Sequence, residues 1–154
     1  MKARTLVLTL AVCVLGVAVC LASNPNMGTW KLNEAKSTFG PGATKNTKVV
    51  YSAAGDKEKV TTDGTTSSGS PAHTEWTGKF DGKDYPVTGD PTADTRSYKK
   101  IDDRTLELTN KKAGKVTTSG RIVLAPDGKS RTVTLTQSGA SGMTAATTAV
   151  YDKQ

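Results

Sequence analysis

Asp127-Gly128-Lys129-Ser130-Arg131-Thr132-Val133-Thr134-Leu135-Thr136-Gln137 reads as a turn and the strand that leaves it. Asp-Gly supplies the backbone conformations of a tight reversal. Val133 and Leu135 then point one way while Thr132, Thr134 and Thr136 point the other, the period of two of a half-buried strand. Threonine is β-branched and suits a pleated surface, so the polar face favours the strand as well.

The same pattern recurs on both sides. Leu106 and Leu108 alternate with Thr105, Glu107 and Thr109, and Trp76 shares a face with Thr74 and Phe80, as Tyr85 does with Val87. Strands are predicted over Thr29–Leu32, Thr47–Ala53, Glu58–Thr65, His73–Phe80, Asp84–Thr88, Thr95–Ile101, Thr105–Asn110, Lys115–Leu124, Ser130–Gln137 and Thr144–Tyr151. Asp81-Gly82 is the strongest short hairpin signal among the turns. The one helical expectation is a brief turn over Asn33–Phe39, since Asn33-Glu34-Ala35-Lys36 is helix-compatible and Gly40-Pro41-Gly42 would end it. Short spacings make every neighbour antiparallel, and closure removes exposed edges. The predicted fold is all-β: an antiparallel up-and-down meander of about 8–10 strands, forming a barrel or half-barrel.

The N-terminus has the build of an export signal. Lys2 and Arg4 precede an apolar run, Leu6–Val19, and Cys20-Leu21-Ala22 offers a small-x-small cleavage site before Ser23. The run is short for a membrane span, which needs about 20 apolar residues. Residues 1–22 are therefore expected to be a signal peptide and 23–154 a single domain. That domain is secreted or periplasmic and has no stable membrane span after processing. Lipidation at Cys20 is the less favoured alternative, because the bulky Val19 stands where a small residue is wanted. Cys13 and Cys20 both fall within the signal, so disulfide and thiolate chemistry leave with it.

Without Lys2 and Arg4 the chain carries 19 basic and 14 acidic residues, a net of +5, down from +7. The charges are interleaved, as in Lys57-Glu58-Lys59, and form no basic stripe of the kind a nucleic-acid partner needs. The predicted domain has 25 apolar residues larger than alanine and 23 threonines, so a barrel with partly hydrated walls fits better than a thick sandwich core. With so few large residues, Trp30 and Trp76 are expected in the core.

Gly28-Thr29-Trp30-Lys31-Leu32 at the head of a β meander resembles the first strand of lipocalins and fatty-acid-binding proteins, the calycin group. Tyr151-Asp152-Lys153 resembles the closing strand of the fatty-acid-binding branch, and Asp81-Gly82-Lys83-Asp84-Tyr85-Pro86-Val87-Thr88-Gly89 resembles a phrase of small exported bacterial lipocalin-like proteins. The resemblance implies a barrel with an internal ligand. Two departures bear on the ligand. Asn33–Gly42 is too short for the two helices of fatty-acid-binding proteins, and Ala149 and Tyr151 stand where their Arg-x-Tyr carboxylate clamp would be.

The chain's Arg-x-Tyr is Arg96-Ser97-Tyr98, two side chains on one face of a middle strand, suited to meeting an anionic ligand inside a barrel. The alternative is a solvated face beside Lys100. Arg96 and Tyr98, with Trp76, form the candidate ligand-binding set. No catalytic residue stands out. His73 is the one histidine, Ser70 lies outside any Gly-x-Ser-x-Gly elbow, and a single histidine without cysteine cannot build a zinc site. Asp81, Asp84, Asp90, Asp94, Asp102 and Asp103 read as turn residues, not as a calcium site or a glycosidase pair. No metal, cofactor or nucleic acid is implied, and any protein partner is left open. The expected function is non-catalytic binding of a small amphiphilic or apolar ligand in the barrel. The second reading is a structural or interaction module of the cell envelope with a filled barrel.

Overall fold

The computed structural model describes residues 24–138 and 144–154; the signal segment and Cys20 lie outside them. Ten strands follow one another: β1 (Gly28–Thr38), β2 (Lys45–Ala54), β3 (Lys57–Thr65), β4 (Pro71–Gly78), β5 (Tyr85–Thr88), β6 (Thr95–Lys100), β7 (Thr105–Lys112), β8 (Lys115–Leu124), β9 (Ser130–Ser138) and β10 (Thr144–Lys153). Each pairs antiparallel with its sequence neighbour, and β1 closes the ring against β10, giving one closed meander barrel. All edges are thereby paired.

The alternation places the predicted faces where expected. Leu106 and Leu108 point inward on β7, as does Val133 on β9, and the intervening threonines face outward or lie partly covered. Both tryptophans are core residues. Turn chemistry accounts for the aspartates. Carboxylate oxygens of Asp81, Asp90, Asp102 and Asp127 accept the backbone N–H two residues on, at 2.8–3.0 Å, an Asx-turn in each case. Asp84 pairs with Lys111, Asp103 with Lys100, and Asp94 caps the Ala113 N–H.

Two local readings are corrected. Asn33–Phe39 forms no helical turn, because β1 runs on as strand to Thr38. Pairing with β10 at Asn33 and Thr38 holds the segment extended and outweighs a weak helical preference. The mismatch survives as an irregularity in the β1–β10 register between Asn33 and Thr38. There the Ser37 hydroxyl donates to the Asn33 carbonyl at 2.7 Å and accepts the Val150 N–H at 2.9 Å, standing in for a ladder bond. The second correction concerns Asp81-Gly82. β4 ends at Gly78, and Lys79–Asp84 forms a wider connection that leans on β6 through a bridge from Asp81 to Lys99. It sets the Phe80 ring parallel to Trp76, centroids 6.2 Å apart. Gly78 makes room for this cluster, since a Cβ there would enter the Tyr85 and Trp76 rings.

The two ends of the barrel differ. At one end Trp30 is wholly buried, and its indole N–H donates to the Asn26 carbonyl at 2.8 Å, so the segment before β1 is stitched across that end. Trp76, Val60, Leu106 and Leu124 fill the same region. The other end, where β1 meets β2, β3 meets β4 and β5 meets β6, opens into a cavity.

Candidate functional site: a cavity graded from polar mouth to cationic floor

The cavity has a volume of about 470 Å³. Its walls change character with depth because each inward position along a strand lies one layer further from the mouth. The upper layer is polar. Thr62 and Thr74 share a hydrogen bond of 2.8 Å, and Arg96, Asn110, Thr118 and Thr147 complete the collar. Below it Val49, Leu108, Ile122, Val133 and Ala149 form an apolar belt. At the floor stand Tyr51, Tyr98, Tyr151 and Arg131.

Arg96 and Tyr98 both face inward, buried, and both line the cavity; the solvated-face alternative fails because the exposed residues of β6 are Lys99 and Lys100. Trp76 is brought against them but does not line the space. Its ring packs edge-on to Tyr98 at 4.7 Å, and its N–H donates to the Arg96 carbonyl at 2.8 Å. It sets the position of the other two from below.

Arg96 is engaged by protein groups. Its Nη2 meets the Asp90 carboxylate at 3.1 Å, and its Nε donates to the Asn110 side-chain oxygen at 2.7 Å. The pair is largely dry, with side chains 8% and 13% exposed. Asp90 lies in the β5–β6 connection, so the ion pair ties the loop Gly89–Ala93 to the wall at the mouth. Gly89 lets that loop sit close: it adopts φ of +78°, and a Cβ there would overlap the His73 carbonyl.

Burial raises the Tyr98 phenol well above its usual range, with Tyr51 adding to the effect and the Arg96 and Arg131 charges opposing it. Burial likewise pushes Tyr151 up to about 12, against the pull of Arg131. Both hydroxyls therefore stay protonated at physiological pH, as donors. Tyr151 spends its proton on the Asn46 carbonyl at 3.0 Å.

His73 lies on the outer surface. Its ring nitrogens meet Asp63 at 2.6 Å and Glu75 at 3.4 Å, and these acids raise its pKa. Ser70 bonds elsewhere, to Thr66 and Ser68. Among the described residues no group of three or more His, Cys, Asp or Glu is placed to hold a metal ion, and no helix is long and apolar enough to cross a membrane.

Sequence reasoning passed over three residues of the site. Asn110 shares the inward parity of Leu106 and Leu108, and Arg131 that of Val133 and Leu135, so the alternation itself carried the signal. Asp90 had no such signal, because a turn aspartate and a clamp aspartate look alike in sequence.

The sequence matches no protein-family model and no curated protein. Among solved structures, the chain is similar to EF1p2_mFAP2b bound to DFHBI, at 13% identity and a TM-score of 0.52, over 86% of this chain and 97% of that one. It also aligns with a redesigned β-barrel, mFAP1, bound to DFHBI, at 18% identity and a TM-score of 0.45, over 84% and 95%. At these identities the first likeness speaks to fold alone, and the ten-strand antiparallel barrel fits a lipocalin or calycin-like fold.

Proposed function

We propose that this protein is an exported, non-catalytic carrier that holds a small amphiphilic or apolar molecule inside its barrel. The observation that carries the reading is the cavity: about 470 Å³, within the range of small-molecule sites, with an apolar belt and few convergent polar groups. The similar barrel EF1p2_mFAP2b is itself bound to DFHBI. The filled-barrel alternative calls for a packed interior and a contiguous apolar outer patch. Among the described residues the exposed large hydrophobics are Ile101, Val116 and Val123. The non-catalytic reading is supported by the partners of Ser70 (Thr66 and Ser68) and of His73 (Asp63 and Glu75), which do not join the two residues, and by the engagement of the turn aspartates.

The neutral probe N-phenyl-1-naphthylamine tests the reading. Its fluorescence is expected to rise and saturate at one molecule per chain. Ala149→Leu, which adds bulk to the belt from β10, is expected to weaken binding at least ~10-fold, about 1.4 kcal/mol. An unchanged spectrum with wild-type protein would favour the filled-barrel module.

Export rests on Lys2, Arg4, the run Leu6–Val19 and the small residues up to Ala22. Mass spectrometry of exported protein is expected to show a chain beginning near Ser23. A mass that retains Met1–Ala22 would refute this, and diacylglycerol on Cys20 would select the lipoprotein form.

A further inference from the structure

Arg131 is the unexplained group of the barrel. It projects from β9 into the floor, is 2% exposed, and lines the cavity. Its guanidinium carbon lies 4.5 Å from the Trp30 ring centroid, 4.6 Å from that of Tyr51 and 5.3 Å from that of Tyr151. These rings stabilise the charge in part, but none of them supplies a carboxylate or carbonyl oxygen to accept its N–H groups. Its Nε and Nη1 are buried without any acceptor among the described residues. Asp90 is the one carboxylate among the lining residues, and it is held by Arg96 near the mouth.

Both arginines face the same interior, yet Arg96 has a carboxylate and an amide oxygen, while Arg131 has neither. A buried cation without a counter-charge is costly to keep, because little water reaches it. In the same dry setting an incoming anion meets an attraction far stronger than at the surface. Aromatic rings fix the guanidinium in place, so little freedom is lost when an anion arrives.

We propose that the cavity floor is an anion subsite in which Arg131, packed against the Tyr51 ring and sharing the cavity lining with Tyr98, receives the carboxylate of an acidic amphiphile bound head-down. The apolar tail then runs along Leu108, Ile122 and Val133 towards the collar. The assignment rests on the carrier reading and adds to it the chemical class and direction of the ligand. It also moves the charge-recognising role from Arg96, whose cation is already neutralised, to Arg131.

Displacement of bound N-phenyl-1-naphthylamine by decanoate and by decan-1-ol, two chains of equal length that differ in head charge, tests the subsite. Wild-type protein is expected to bind decanoate at least ~10-fold more tightly than decanol. Arg131→Met is expected to erase that preference while still binding the naphthylamine. Equal displacement by both compounds in the wild type, or a preference that survives in Arg131→Met, would overturn the subsite and leave the carrier reading standing. If the wild type binds no naphthylamine, the carrier reading fails, and the subsite with it. Should Arg131→Met fail to fold, the Arg131 Nε–H resonance of ¹⁵N-labelled wild-type protein decides. Decanoate is expected to shift it and decanol to leave it in place, and no shift with decanoate would overturn the assignment.

Discussion

Replacing Trp30 by alanine is expected to destabilise the protein by about 3–5 kcal/mol, the usual cost of truncating a fully buried tryptophan. Three losses combine in that figure. The indole leaves a cavity at the closed end, where it is 0% exposed. The Asn26 carbonyl loses the donor it meets at 2.8 Å, and an unsatisfied buried acceptor costs about 1–3 kcal/mol. The Arg131 guanidinium loses one of the rings that hold it. Trp30→Phe keeps much of the bulk and an aromatic face, so its loss is expected to be intermediate. Chemical denaturation of the three proteins measures the series, and a loss below about 1 kcal/mol for Trp30→Ala would remove this residue from the role of anchor.

Asp90→Ala is expected to cost about 3 kcal/mol, because it leaves the Arg96 cation buried with only the Asn110 amide oxygen as partner. The origin of that cost is the orphaned charge more than the lost attraction, which makes a second variant informative. Adding Arg96→Met to Asp90→Ala removes the orphan and is expected to recover most of the stability. Equilibrium unfolding of wild type, single and double variants tests this. A double variant no more stable than Asp90→Ala would mean that the loop's own turn geometry, and not the ion pair, holds it to the wall. The Asp90 side chain also accepts from the Thr92 N–H and hydroxyl, so some loss will remain in the double variant.

The barrel was legible in the sequence because period-two alternation is a local signal that recurs from strand to strand. Runs such as Thr132–Thr136 declare both a strand and its inward face, and short connections leave few topologies for their order. The tail of β1 was not legible. Asn33-Glu34-Ala35-Lys36 is acceptable as helix, and its strand conformation is imposed by β10, more than a hundred residues away. The width of the β4–β5 connection was hidden for a similar reason, since Phe80 is drawn out of the hairpin by Trp76 and Tyr98.

The candidate site was half legible. Parity put Arg96 and Tyr98 on one face and allowed that face to be the interior, but nothing local announces that Asp90 folds back over Arg96. Arg131 is the instructive omission. Long charged side chains usually face water, and that expectation masked a residue whose inward position follows from Val133 and Leu135. In a Thr-rich barrel with few large residues, an arginine on the apolar parity of a strand is the exception to weigh first.

A carrier of this kind holds its ligand in the interior of the barrel. Intermolecular NOEs between bound N-phenyl-1-naphthylamine and methyl-labelled protein test it most directly. Cross-peaks from the probe to the methyl groups of Leu108, Ile122 and Val133 are the expected result. Cross-peaks confined to Ile101, Val116 and Val123, on the outer surface, would contradict it.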